Sequence, residues 1–432
     1  MWERQIQTPP SRSNPTDITS TNSTTSSPDI QPAIEALLNP SQSIREPASD
    51  MTPTIRVIGS LNADMVSVTP RFPDAGETIT SSSYFISAGG KGANQAVACG
   101  RLSRPQPKSS GSTTGKSDVL VEMVGAVGGL DGHFDALLKP TLEKSGVEAG
   151  RVKVVPDAYT GVAVIIVDES AGGENRILFS PGANYTGMQG SESVLGMALA
   201  SPVPDVIVMQ GEIPTATTVG ILREVGKWKE EQRKNGKRGI EAGPDLMINP
   251  APAPPGGLPA DVYKGVDHLV MNETEAEIMT PSEDVLLSVP GIEAGQEKKD
   301  KVARYFHSLG VTYVLITLGA KGVWYSAVEA GSSGDLNSAG RVTNEVPAAK
   351  VSRVLDTTAA GDTFGGAYAV MVARWREKRR AEGRAGSDLS AEEKVARYKK
   401  VMDEAMDVAT RASARGVERQ GAMDSIPWED EI

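Results

Sequence analysis

Val354-Leu355-Asp356-Thr357-Thr358-Ala359-Ala360-Gly361-Asp362-Thr363-Phe364-Gly365-Gly366 marks a change in the kind of structure this chain can form. Its lead-in (Val351, Val354, Leu355) is apolar and mostly β-branched, Asp356 ends it, and small residues follow. From Asp362 onward Phe364, Ala367, Tyr368, Val370 and Met371 recur at helical spacing. A small-residue turn running into a helix leaves the first backbone N–H groups without intrahelical partners, which makes an anion site. Gly361 lets the backbone come close to a ligand. Asp362 admits two roles: a first-turn acid suited to the helix dipole, or a carboxylate that takes the proton from a hydroxyl attacking a phosphoryl group on those amides.

Outward from this stretch, short apolar runs alternate with segments long enough for crossover helices. Ile55–Gly59, Val119–Val127, Asp205–Gln210, Leu246–Asn249, His268–Met271 and Tyr313–Leu318 read as buried strands. The alternation predicts an α/β fold with a doubly wound, mostly parallel, Rossmann-like sheet. Ligands bind such sheets beyond the carboxyl ends of the strands. Polar residues collect there: Asn62 and Asp64, Glu212, Asn249, Asn272 and Thr317–Gly322. Residues 65–69, 77–87, 161–168 and 176–180 break the rhythm, as strands without intervening helices, and predict a small antiparallel β lid from about 65–88 and 161–181 that keeps water from a transferring phosphoryl group.

Residues 8–29 are nearly all Ser, Thr, Pro, Asn and Asp, so residues 1–52 are expected to form a disordered tail and 53–432 one large domain. The formal charge of −11 argues against nucleic acid as a partner. Arg374 to Arg384 reads as the solvated end of a helix, where cations suit the dipole. One cysteine, Cys99, and three histidines exclude disulfides, cysteine zinc sites and His-rich metal cages. A cytoplasmic protein fits, with a nuclear location left open. No apolar run approaches the roughly 20 residues that span a membrane, and the acidic Glu3, Asp17 and Asp29 count against a transit peptide. Segments 103–118, 231–244, 329–340 and 380–392 read as surface insertions. The first contains Gly111-Ser-Thr-Thr-Gly115-Lys116-Ser117, a near P-loop with one residue too few between its glycines and no buried strand before it.

Four further motifs have an ordinary reading and a chemical one. In Gly59-Ser-Leu-Asn-Ala-Asp64 the Asn and Asp read first as turn formers. Gly89-Gly90-Lys91-Gly92-Ala93-Asn94-Gln95 reads as a glycine-rich helix entry, or as close backbone approach with side-chain partners for a polyhydroxylated ligand. Asn272-Glu-Thr-Glu275-Ala-Glu277 is a helix N-cap with first-turn acids. Thr317-Leu-Gly319-Ala-Lys321-Gly322 leads into Val323-Trp324-Tyr325 as a hairpin turn.

Thr358-Ala-Ala-Gly-Asp-Thr-Phe364 resembles the signature of the ribokinase family of carbohydrate kinases, and the other motifs follow in the family's order over residues 54–428. The resemblance implies ATP-dependent phosphorylation of D-ribose at its primary hydroxyl, giving ADP and D-ribose 5-phosphate. By it Asp362 is the catalytic base, and the amides around Ala359, Ala360 and Gly361 form the anion hole. Asn62, Asp64, Gly90, Lys91, Gly92, Asn94 and Glu212 would hold the sugar. Thr317, Gly319, Lys321, Gly322 and Gly361 would contact ATP, and Asn272 and Glu275 would organise Mg²⁺ through water. Asp356, Thr358, Arg419 and Ser425, with carbonyls of Gly416 and Gly421, would ring an activating K⁺. Asp424 stands where proline is usual, Glu212 matches less tightly, and no adenine-edge polar residue is evident near Ala409 and Thr410. A homodimer through the lid is also implied. Two alternatives stay open: a sister kinase for fructose or a nucleoside, and a non-catalytic sugar-binding regulator.

Overall fold

The computed structural model describes residues 52–107, 117–172, 174–190, 192–329 and 340–432. The expected tail, most of the P-loop-like stretch, and most of the insertion at 329–340 lie outside the described residues. One nine-stranded sheet organises the rest, in the order β13-β12-β11-β10-β9-β8-β1-β4-β5. Its strands are β1 (Thr54–Ile58), β4 (Leu120–Gly128), β5 (Val147–Val155), β8 (Val206–Met209), β9 (Asp245–Ile248), β10 (His268–Asn272), β11 (Tyr313–Thr317), β12 (Val323–Ala327) and β13 (Val342–Val346). From β5 to β11 all pairings are parallel, and only β12 and β13 are antiparallel. The six strands expected from apolar runs are all present. The two edges, β5 and β13, carry charged or polar residues along solvent-facing positions and so give a weak apolar signal.

Helices cover both faces, which is why the central strands are largely apolar and why the charged exceptions in β1 and β4, Arg56 and Glu122, pair with each other at 2.7 Å. Lys91–Leu102 (α1), Ala360–Ala381 (α5) and Met402–Val417 (α6) pack with Ile55, Val57, Val208 and Leu315 in one core. Thr215–Lys234 (α2), Glu273–Met279 (α3) and Lys298–Ser308 (α4) pack with Ile58, Met209, Leu269 and Ile316 in the other. The chain runs from β1 outward to β4 and β5, then returns to lay β8 on the opposite side of β1. That reversal opens a crevice between the loops after β1 and β8.

A second sheet, in the order β3-β2-β6-β7, rises from the end of β1: β2 (Asn62–Thr69), β3 (Ser83–Gly89), β6 (Gly161–Asp168) and β7 (Glu174–Ser180). Its outer pairings are antiparallel, as expected of the lid, but the central pair β2–β6 is parallel. The chain passes through α1, β4 and β5 between those two strands and re-enters the lid in the same direction. The strand expected at 77–87 begins only at Ser83, because its partner β2 ends at Thr69. Asn62 and Asp64, read first as turn formers, belong to β2 itself. They lie two residues apart, on one face of the strand.

The basic run is not a solvated helix end. Arg376 and Arg379 are buried. Arg376 pairs with Asp245 at 2.9 Å and donates to the carbonyls of Ile240 and Gly243, while Arg379 pairs with Glu393 at 3.0 Å.

Candidate active site

The turn before α5 leaves Ala359 in the left-handed region (φ 58°), the sole non-glycine there among the described residues. Such a conformation costs an L-residue roughly 1–2 kcal/mol and is characteristic of functional sites. The first i→i−4 bond runs from Thr363 N to Ala359 O at 2.8 Å, so the amides of Gly361 and Asp362 precede the regular ladder. A Cβ at Gly361 would meet nothing within 4 Å. The helix start therefore faces open space with bare N–H groups.

Asp362, 4% exposed, is held by α1. Asn94 Nδ2 donates to its Oδ2 at 2.9 Å and Gln95 Nε2 to its Oδ1 at 3.0 Å. The two helices come close because α5 carries Gly365 and Gly366: a Cβ at Gly366 would lie 2.3 Å from Ala98 Cβ. Asn94 spends its amide donor on Asp362 and keeps Oδ1 buried without a partner, an acceptor suited to a ligand hydroxyl.

The crevice side is built by β2 and the α1 entry. Gly90 opens α1 at φ 92°, and a Cβ at Gly92 would lie 2.5 Å from Ser60 N, so only glycine lets the two loops touch. Glu212 Oε2 accepts from Ser60 Oγ at 2.6 Å and from Lys91 N at 3.0 Å, which caps α1. Asn62 Oδ1 accepts from Asn184 Nδ2 at 2.7 Å, which leaves the Asn62 amide as a donor. Gly89 makes room for Asp64: a Cβ there would lie 2.0 Å from Asp64 Oδ2. Burial, then the charges of Glu212 and Asp362, push Asp64 up to about 7. Burial also raises Glu212. The charge of Asp362, ahead of Glu212 and Glu275, raises Lys91 and keeps its ammonium protonated among these acids.

On the other side, the register of β10 and β11 sets Asn272 beside Thr317 at the strand ends. Asn272 and Glu275 form a capping box: Glu275 N donates to Asn272 Oδ1 at 2.7 Å and Asn272 N to Glu275 Oε2 at 2.9 Å. Glu275 also takes Asn249 Nδ2 at 3.3 Å, and Asn249 Oδ1 takes Gln95 Nε2 at 3.2 Å. A continuous chain of side-chain bonds thus joins Asp362 to Asn272. Gly319 (φ 56°) and Gly322 (φ 106°) shape the turn after β11. Lys321 lines a cleft of about 550 Å³ whose lining includes none of the residues around Asp362.

Asp356 ties the two C-terminal segments together. Its carboxylate accepts Thr358 N at 2.8 Å and Gly421 N at 3.0 Å, and Leu355 N donates to Val417 O at 2.8 Å. Burial opposes ionisation of Asp356, but the bonds from Thr358 and Gly421 outweigh it and hold the carboxyl below its ordinary range. Ser425 is buried, with its hydroxyl on Ala422 O and its carbonyl near Gly416. The Arg419 guanidinium is turned away to a bidentate pair with Glu431, so a cation ligand from this residue can only be its carbonyl. Ala409 and Thr410 are buried, and Thr410 Oγ1 donates to Asp407 O at 3.0 Å. Among the described residues no group of three or more His, Cys, Asp or Glu side chains is placed to cage a metal.

Residues 52–429 match the pfkB family carbohydrate kinase pattern. The chain belongs to that family. It is 35% identical over 376 residues to the ribokinase of Schizosaccharomyces pombe, covering 86% of this chain and 94% of that one. The ribokinase of Haemophilus influenzae is 31% identical, covering 88% and 97%. The solved structure of Arabidopsis thaliana ribokinase complexed with ribose and ATP superposes with a TM-score of 0.62 at 26% identity, covering 88% of this chain and 97% of that one. In this pfkB-family chain, sequence reading passed over Ser60, Asn184, Gln95 and Gln210 as site residues. Gln95 and Ser60 stand inside the quoted motifs, whereas Asn184, after β7, carried no signal beyond a Pro-Gly turn.

Proposed function

We propose that this chain is a ribokinase: ATP and D-ribose give ADP and D-ribose 5-phosphate. The observation that carries the reading is the buried Asp362 carboxylate, bonded to Asn94 and set at the bare N-terminus of α5. The primary hydroxyl of the sugar loses its proton to Asp362 as its oxygen bonds to the γ-phosphorus. The bond from that phosphorus to the β,γ-bridging oxygen breaks, and ADP leaves with the electron pair. The amides of Gly361 and Asp362, with the N-terminal dipole, would meet the charge on the transferring oxygens, whereas the Ala360 amide, expected in the anion hole, donates to Thr357 O at 3.3 Å. Asn62 as donor, and Asn94 Oδ1 and the Asp64 carboxylate as acceptors, suit neighbouring sugar hydroxyls, while Glu212 has one oxygen beyond its α1 cap. Gly90, Lys91 and Gly92 bring backbone and a cation to the same ligand. Polar lining of this kind favours a free sugar over a nucleoside, whose base needs an apolar slot.

Asn272 and Glu275 suit a Mg²⁺ held through water, since this ion sheds its hydration reluctantly and the site offers no carboxylate cage. When bound, it would offset the charge of the nucleotide phosphates, with Asn272 and Glu275 holding its waters. Asp356, Thr358, Ser425 and the carbonyls of Gly416, Arg419 and Gly421 are the residues that would hold K⁺, which would brace the loop before Ala359. Thr317, Gly319 and Gly322 would line the nucleotide side, with Lys321 as a peripheral contact. We further propose a cytoplasmic homodimer, paired through the lid.

The test is ADP release across pentoses, 2-deoxyribose, hexoses and nucleosides, each with K⁺ or Na⁺. Ribose with K⁺ is expected to give the highest kcat/KM. A nucleoside preferred over every free sugar would overturn the assignment.

A further inference from the structure

We propose that Gln95 is a positioning residue for the transfer, holding the Asp362 carboxylate in one orientation and coupling it to the acid at Glu275. The inference deepens the kinase reading above and rests on it. Gln95 is fully buried on α1. Its single nitrogen serves two acceptors, Asp362 Oδ1 at 3.0 Å and Asn249 Oδ1 at 3.2 Å. Its oxygen accepts Gln210 Nε2 at 2.8 Å. All three contacts demand the same amide orientation, because a flipped amide would aim its oxygen at the Asp362 carboxylate and its nitrogen at the Gln210 donor. With Asn94 on Oδ2 and Gln95 on Oδ1, each carboxylate oxygen carries one fixed donor and the group cannot rotate. Asn249 passes the constraint to Glu275 at 3.3 Å. An unclamped base would sample orientations in which its remaining lone pairs miss the attacking hydroxyl, and proton transfer depends on that geometry.

Gln95→Met keeps the volume and removes both donors. We expect kcat to fall at least tenfold, with the KM for ribose and the calorimetric ribose affinity within threefold of the unsubstituted protein. Gln95→Glu places a carboxyl beside Asp362, and like charges at this distance raise one of the two pKa values. Its kcat should also fall at least tenfold with ribose affinity within threefold, since a carboxylate there accepts where Gln95 donates. A folded Gln95→Met variant with kcat within threefold of the parent overturns the inference. So does a folded Gln95→Glu variant with kcat within threefold of the parent, or a loss of ribose binding that matches the loss of kcat. Loss of the folded state in both variants would assign Gln95 to the scaffold and overturn it too. Failure of the unsubstituted protein to release ADP with any sugar strikes instead at the kinase reading.

Discussion

At Asp362 the ordinary role and the proposed chemical one coincide, since a first-turn acid and a proton acceptor would occupy the same atom positions. What separates them is partnership: Asn94 and Gln95 reach across from another helix to hold the carboxylate, which no capping role requires. Asp362→Asn should lower kcat by about 10²–10⁴, the usual contribution of a general base, while calorimetry still detects ribose binding. Asp64 gives a pH-dependent prediction. In the unfolded chain it ionises near 3.9, and in the fold only at about 7. Between these values the folded protein holds a proton that the unfolded chain has lost. Its contribution therefore favours folding below about 4 and is lost as pH rises through about 7. Asp64→Asn cannot ionise, so without ligand it should melt increasingly above the parent protein as pH goes from 5 to 8. A constant difference in melting temperature would show that Asp64 does not carry this coupling.

At the scale of elements, the start of α5 is the most informative segment. Gly361 has space around it, so nothing in the ligand-free fold forbids a side chain there. Gly361→Ala should leave melting unchanged or raise it, since alanine is favoured over glycine in a helix by roughly 0.5–1 kcal/mol. The same substitution should raise the KM for ATP or lower kcat at least tenfold, because the methyl group would occupy the place proposed for the phosphoryl group. Lower stability with intact kinetics would remove this helix start from the chemistry. Gly161, at the start of β6, behaves oppositely. A Cβ there would lie 2.2 Å from Asn184 Nδ2 and 2.4 Å from Asn62 Oδ1. Gly161→Ala should weaken ribose binding in a titration at least tenfold and also lower the melting temperature.

For the whole molecule, the lid leaves an unusual surface. Phe85 on β3 and Ile177 on β7, on the face that carries Asp64, are about half exposed, and so are Tyr84 and Leu178 on the opposite face. Both strands are sheet edges with open backbone groups. In the dimer proposed above, a second copy of the chain would pair along these edges and cover the apolar residues beside them. Sedimentation should report a dimer, and Leu178→Asp should convert it to a monomer with a raised KM for ribose. A monomeric parent protein at micromolar concentration would dispose of the pairing.

Much of this was legible in the chain because strand burial and helix starts are written locally. Apolar β-branched runs bounded by small residues located β1, β4, β8, β9, β10 and β11, and the Gly-Asp junction placed the head of α5. Edge strands β5 and β13 were not legible, since a half-solvated strand needs no continuous apolar run. Nor was the parallel β2–β6 pairing, which depends on where the chain returns after a long excursion. Arg376 looked like a surface cation because the carboxylate and carbonyls that receive it lie far away in sequence, and Arg379 because its partners are brought to it only when the chain after α5 turns back. The same reason hid Gln95, Gln210 and Asn184: a buried amide has no periodicity, and its partners are chosen only when α1, α5 and the strand ends meet. Sequence alone determined the six buried strands of the sheet, the position of the small-residue helix start and the family. Tertiary packing alone decided which amides orient the acids, because hydrogen-bond direction is a property of assembled neighbours.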